Sequence, residues 1–197
     1  MRPTVALAGS DLLECKMALK VYKYGEKVLR ETAKPVAVVT DEQRSLANAM
    51  VETMHQAKGV GLAAQQVGRT VRICVIDIPP GCDEEEDELF NAPIQMPLKM
   101  WNLEIVAREG TVCDKEGCLS FPNVGGSIVR AAQVTAQYLD EDNNPQMITA
   151  RGYLARAIQH ESDHLNGVLY IDHMSAVERL KYADKLKKLA KANGGVR

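Results

Sequence analysis

The residues whose types and spacing best suit chemistry are His160-Glu161-Ser162-Asp163-His164. On a helix, residues i and i+4 share a face, so both imidazoles can reach one metal ion. Glu161 follows the first histidine and can approach a water held there. A carboxylate so placed takes the water's proton and later passes it to a leaving group. The pattern suggests metal-assisted hydrolysis; its bland counterpart is two surface histidines on a charged helix. Two histidines do not complete a site, and a third ligand is needed. Six residues after the second histidine, where one common protease pattern places its third ligand, stands Tyr170; His173 lies at the wrong spacing. Glu178 could close a two-histidine, one-glutamate site only from what reads as a solvated helix face. Upstream, Glu116-Gly117-Cys118-Leu119-Ser120 offers Cys118, with Gly117 permitting close backbone approach. A lone cysteine is otherwise an ordinary packing residue.

These residues need elements to hold them. The spacing predicts a helix after Thr40, where Thr40 and Gln43 fit a capping box. Leu46, Met50, Met54 and Ala57 recur at helical intervals through Lys58, and Gly59 suits a left-handed cap. Gly59 to Gln66 is a run of small residues with two glutamines. Val71 to Ile78 reads as a buried strand ended by Pro79-Pro80-Gly81. Asp83 to Glu88, six acids in succession, reads as a solvated surface loop. Short strands are predicted at Leu103 to Arg108, Thr111 to Cys113 and Ile128 to Leu139, with a turn at Asp140 to Asn144. The metal-motif helix is predicted from Ala150 to Leu165, with Leu154, Ala157, Ile158 and Leu165 on its apolar stripe. A last amphipathic helix is predicted from Ser175 to Asn193, with Leu180, Leu186 and Leu189 facing one way. The expected architecture is α+β: one compact domain of short, mostly antiparallel strands around a central metal-binding helix, with a C-terminal helix.

The bulk of the chain narrows the class. At 197 residues, 46% hydrophobic and 25% charged, it suits one globular domain. A net charge of -2 implies no strong global field, so no DNA partner is expected. No apolar run reaches the ~18 residues that span a bilayer, so no membrane partner is expected. Met1 to Lys20 lacks a signal-peptide layout, since Asp11 and Glu14 interrupt it, and Met17 is an alternative start. Residues 1–20 read as a flexible extension, 21–174 as the catalytic domain, and 175–197 as a basic helix and tail of the same domain. From Ala176 onward, seven bases stand against two acids. Five cysteines with no framework spacing suggest a reducing, cytoplasmic setting.

Three segments together resemble the peptide deformylase family. Gly59 to Gln66 matches its Gly-x-Gly-apolar-Ala-Ala-x-Gln motif, Glu116 to Ser120 its Glu-Gly-Cys-x-Ser motif, and Gln159 to Leu165 its Gln-His-Glu-x-x-Asp-His-Leu motif. Weaker similarity runs from about Tyr24 to His173. The resemblance implies hydrolysis of the formyl group from N-formylmethionyl nascent peptides, releasing formate. It implies that Cys118, His160 and His164 bind one divalent metal with water in the fourth position. Fe2+ is the expected native ion, with Zn2+, Ni2+ or Co2+ as alternatives. It makes Glu161 the general acid/base and gives oxyanion stabilisation to the Gln66 amide and the Leu119 N–H. Gly59 and Gly61 would let the metal sit close to the backbone, and Val60, Tyr153 and Ala157 would wall the methionine pocket. It also raises ribosome contact through the basic last helix. Charge alone suggests that Arg151 and Arg156 pair with Glu116.

The sequence departs from the family at Ser162, usually apolar, at Tyr24-Gly25-Glu26, at Trp101 and Leu103 around Asn102, at Asn123 to Gly126, and in the long acidic insert. Two other readings stay open. One is a general zinc endopeptidase, which needs a downstream third ligand. The other is a non-catalytic structural metal site, which usually has four protein ligands.

Overall fold

The computed structural model describes residues 18–194. The expectation of a loose extension over residues 1–17 lies outside the described residues. Within the described part, the Leu19 N–H already donates to Thr53 Oγ1 at 2.9 Å.

The first helix, α1 (Asp41–Gln56), carries the expected box: the Thr40 side chain accepts from the Gln43 N–H, and the Gln43 side chain accepts from the Thr40 N–H. The helix buries Ala47, Met50, Thr53 and Met54. Its left-handed stop is Lys58, with φ 57°, not Gly59. Gly59 is small for another reason: a Cβ there would lie 2.7 Å from Leu119 Cδ1.

A five-stranded antiparallel sheet has the order β1 (Gly61–Ala63), β2 (Ile73–Ile76), β3 (Leu98–Glu109), β6 (Gln133–Leu139), β7 (Pro145–Arg151). Between β3 and β6 the chain makes a separate hairpin, β4 (Val112–Gly117) and β5 (Gly125–Arg130). The expected strand from Ile128 to Leu139 is therefore two strands in two sheets. The cause is Gln159: its side chain accepts from the Ala131 N–H and donates to the Ala131 carbonyl, both at 3.0 Å, satisfying backbone groups that a continuous ladder would have used. Near Trp101 the register of β3 against β6 shifts, and Asn102 has φ 56°. The Asn102 amide bonds both the N–H and the carbonyl of Val36 at 2.8 Å, which accounts for its place between Trp101 and Leu103.

The acidic insert is not a loop throughout. Glu85–Asn91 forms a short helix, α2. Four acids in its first turn favour the helix dipole while staying solvated. The strand β7 replaces what sequence periodicity suggested as the start of the metal helix. Gly152, at φ 57°, turns the chain from β7 directly into α3 (Gly152–Leu165). Leu154, Ala155, Ala157, Ile158 and Leu165 of α3 pack with Ala63, Cys74, Ile76 and Met100 of the sheet. Ser162 is buried as well.

The C-terminal helix is broken. α4 (Ala176–Lys181) and α5 (Ala183–Ala192) meet at Tyr182, whose backbone leaves the helical region. Leu186 is buried and Leu189 half-buried, but Leu180 is 76% exposed, because the break turns it away from their stripe. Among the described residues, no helix is long and apolar enough to cross a membrane. Cys74, Cys82, Cys113 and Cys118 are free.

Candidate active site

The central helix α3 brings His160, Glu161 and His164 against the sheet, and the bend after β4 brings Cys118 to meet them. One donor atom from each of Cys118, His160 and His164 lies within 4.8 Å of the others, the only such group of three among the described residues. Cys118 Sγ is 3.3 Å from His164 Nε2. His160 Nδ1 is 3.0 Å from Glu116 Oε2, which leaves its Nε2 to face the sulfur. A carboxylate on the far ring nitrogen is the usual way a ligating histidine is oriented.

Glu116 is itself held by an ion-pair network. Arg130 Nε and Nη2 donate to its two oxygens at 2.8 and 3.0 Å, and Arg156 Nη1 donates to Oε1 at 2.8 Å. Burial alone would raise its pKa, but the hydrogen bonds from His160 and Arg130 outweigh burial and hold it far below the usual carboxylate range. Of the two arginines suggested for this pairing, Arg156 takes part and Arg151 does not. Arg151 donates to Gln133 Oε1 at 2.7 Å and stacks on Phe90, since it ends β7 on the side facing α2. Arg130, which sequence reasoning missed, supplies the second guanidinium. Its alternation with Ile128 on a buried strand face was the available signal. Arg130 also donates to Asp163 at 2.5 Å, and Asp163 pairs with His173 at 2.8 Å. Glu178 pairs with Lys181 at 2.6 Å, away from the trio.

Glu161 is 3% exposed, and its Oε2 is buried without a protein partner among the described residues. Burial pushes its pKa up to about 7. Its Oε1 is so close to Gly61 that a Cβ there would collide with it. Burial holds His164 well below the ordinary histidine range, keeping it in the neutral form that binds metal. Burial opposes a charge on His160, yet the hydrogen bonds it donates to Cys118 and Glu116 outweigh burial and raise that pKa. Soft sulfur, two imidazoles, a second-layer carboxylate and an unpartnered buried carboxylate oxygen fit a divalent metal with one position left for water.

Gln66 is 1% exposed. Its Oε1 accepts from the Ala63 N–H at 2.8 Å, so its Nε2 points inward, 3.3 Å from Cys118 Sγ and 3.2 Å from Ser120 Oγ. The trio opens into a cleft of about 550 Å³. Gly59, Val60 and Gly61 line one wall, Cys118 and Leu119 the other, with Tyr153, Ala157 and Glu161 from α3. Lys23, Lys58, Lys115 and Phe121 line it too, though sequence spacing did not single them out for the cleft.

The model of the polypeptide deformylase family matches residues 18–180. The chain belongs to the polypeptide deformylase family. A peptide deformylase of Halothermothrix orenii is 46% identical over 154 residues, 78% of this chain and 92% of the relative. One from Endomicrobium trichonymphae is 40% identical over 174 residues, 88% of this chain and 96% of the relative. The structure of the Ehrlichia chaffeensis peptide deformylase in complex with actinonin superposes with a TM-score of 0.77 at 38% identity, covering 87% of this chain and 96% of that one. The deformylase family thus accounts for both the mixed α+β architecture and the order of the three motifs.

Proposed function

We infer that this chain hydrolyses the N-terminal formyl group of formyl-methionyl nascent peptides, releasing formate and a free amine. The observation that carries this reading is Glu161: a buried carboxyl with an oxygen that has no partner among the described residues, between two of the three clustered metal-ligand side chains, in a cleft lined by Gly59 and Gly61.

Cys118, His160 and His164 would hold a divalent ion, Fe2+ in the native enzyme, which when bound supplies Lewis acidity toward the formyl carbonyl and acidifies water. Glu161 takes a proton from water as its oxygen bonds to the formyl carbon. The Gln66 Nε2 and the Leu119 N–H donate to the carbonyl oxygen as negative charge grows on it, and a donor of this kind is worth ~2.7–4 kcal/mol. Glu161 then hands the proton to the methionine nitrogen as the carbon–nitrogen bond breaks. Gly59 and Gly61, without side chains, let the backbone come close to the metal site, which suits the smallest acyl group. Val60, Tyr153 and Ala157 receive the methionine side chain. The setting is the cytoplasm, where formylated chains emerge. Lys185, Lys187, Lys188 and Lys191 are exposed on α5 and contact the ribosome.

The test is formate release from formyl-Met-Ala-Ser by anaerobically metal-loaded protein. Wild type should release formate and leave the unformylated peptide intact. Glu161→Ala should lose activity at least ~100-fold while keeping one metal per chain. Equal activity in that variant would remove Glu161 from the chemistry. Ribosome binding that survives neutralising the four lysines would sink the α5 contact.

A further inference from the structure

The exposed charged residues that line the cleft are all cationic. Its lining contains two acids, Glu116 and Glu161, and both are buried. Glu116 is matched by Arg130, Arg156 and His160. The remaining charged residues of the lining are Lys23, Lys58, Lys115 and Arg156. Arg156 is engaged with Glu116, and Lys23 Nζ donates to the neutral Leu119 carbonyl at 2.7 Å. Lys58 and Lys115 are exposed, and neither has an ion-pair partner among the described residues. Asp83 accepts the Tyr153 N–H at 2.7 Å and the exposed Asp114 directly precedes Lys115, so acids border the lining without belonging to it.

The two lysines stand in matching places. Lys58 lies three residues before Gly61, which abuts Glu161; Lys115 lies three residues before Cys118. Three residues of chain span at most ~11 Å, so each lysine stands within that distance of the residue beside the reacting centre. An extended peptide whose formyl carbon lies at that centre has its third residue at about the same distance. Resting on the deformylase reading, we propose that Lys58 and Lys115 select formyl peptides with an acidic side chain at the third residue. In a chain of net charge -2, this local cationic mouth is a property of the cleft and not of the whole surface.

The experiment compares formate release from C-terminally amidated formyl-Met-Ala-Asp, formyl-Met-Ala-Asn and formyl-Met-Ala-Lys by the metal-loaded enzyme at low salt. Each exposed ion pair contributes modestly, so kcat/KM for Asp should exceed Asn by about 5-fold, mainly through KM, and Lys should fall below Asn. The Asp-to-Asn ratio should approach one in Lys58→Gln/Lys115→Gln and at high salt, and should invert in Lys58→Glu/Lys115→Glu. The ratio is internal to each variant, so partial misfolding does not mimic the effect. Equal Asp and Asn rates in wild type would overturn the proposal and leave the deformylase reading intact. A ratio kept by the double variant would overturn the assignment to these lysines. No release from any formyl peptide would bring down both.

Discussion

Glu161 sits where its charged form is disfavoured, and this has a measurable consequence in the metal-free protein. Burial raises its folded pKa to about 7 from an ordinary 4.5. Between those values the folded state binds the proton that the unfolded state has released, so stability falls as pH rises. The penalty is complete above pH ~7 and amounts to at most ~3 kcal/mol. Metal-free Glu161→Gln should therefore unfold at higher denaturant than metal-free wild type at pH 8, with the two converging near pH 4. Equal midpoints at both pH values would mean that burial does not perturb Glu161. The residue itself was legible in sequence, because i, i+4 histidines with an intervening acid constrain one another. Arg130 was not, because its partner Glu116 lies 14 residues away across the β4–β5 hairpin, and no local periodicity reports such a pairing.

At the scale of elements, α3 depends on the insert before it. Its N-cap Arg151 has no side-chain cap bond. The missing acceptor is Asp83, whose Oδ1 takes the Tyr153 N–H at 2.7 Å from 70 residues away. Asp83→Ala should lose about 1 kcal/mol, a fall of ~2–4 °C in Tm, and Asp83→Asn should recover most of it. An unchanged Tm in Asp83→Ala would show that solvent serves equally well. Sequence reading took the insert for a solvated loop, since six consecutive acids carry no apolar pattern to dock them. It likewise merged α4 with α5, because Leu180, Leu186 and Leu189 fit one helical stripe if the break at Tyr182 is ignored. The capping box of α1 was legible because both partners lie within four residues.

For the whole molecule, the trio joins α3 to the β4 segment, so metal occupancy should couple to global stability. An ion at 100 times its Kd stabilises the folded state by ~2.7 kcal/mol. Chelation should lower Tm by roughly 5–10 °C, and re-addition should restore it. A chelated protein with unchanged Tm, after metal content is shown to fall, would mean that the trio closes equally well without an ion.

The sequence alone determined the chemistry-bearing motifs, the α+β class, the α1 cap and the helical spacing of His160 and His164, because each depends on residues close together along the chain. The tertiary structure decided what lay between motifs. It put Cys118 against His164, replaced Arg151 by Arg130 in the Glu116 network, divided one expected strand between two sheets, and gathered Lys58 and Lys115 at one mouth. Those outcomes depend on packing between residues 14 to 57 apart in the chain, where contact is set by how buried faces fit together and not by local periodicity.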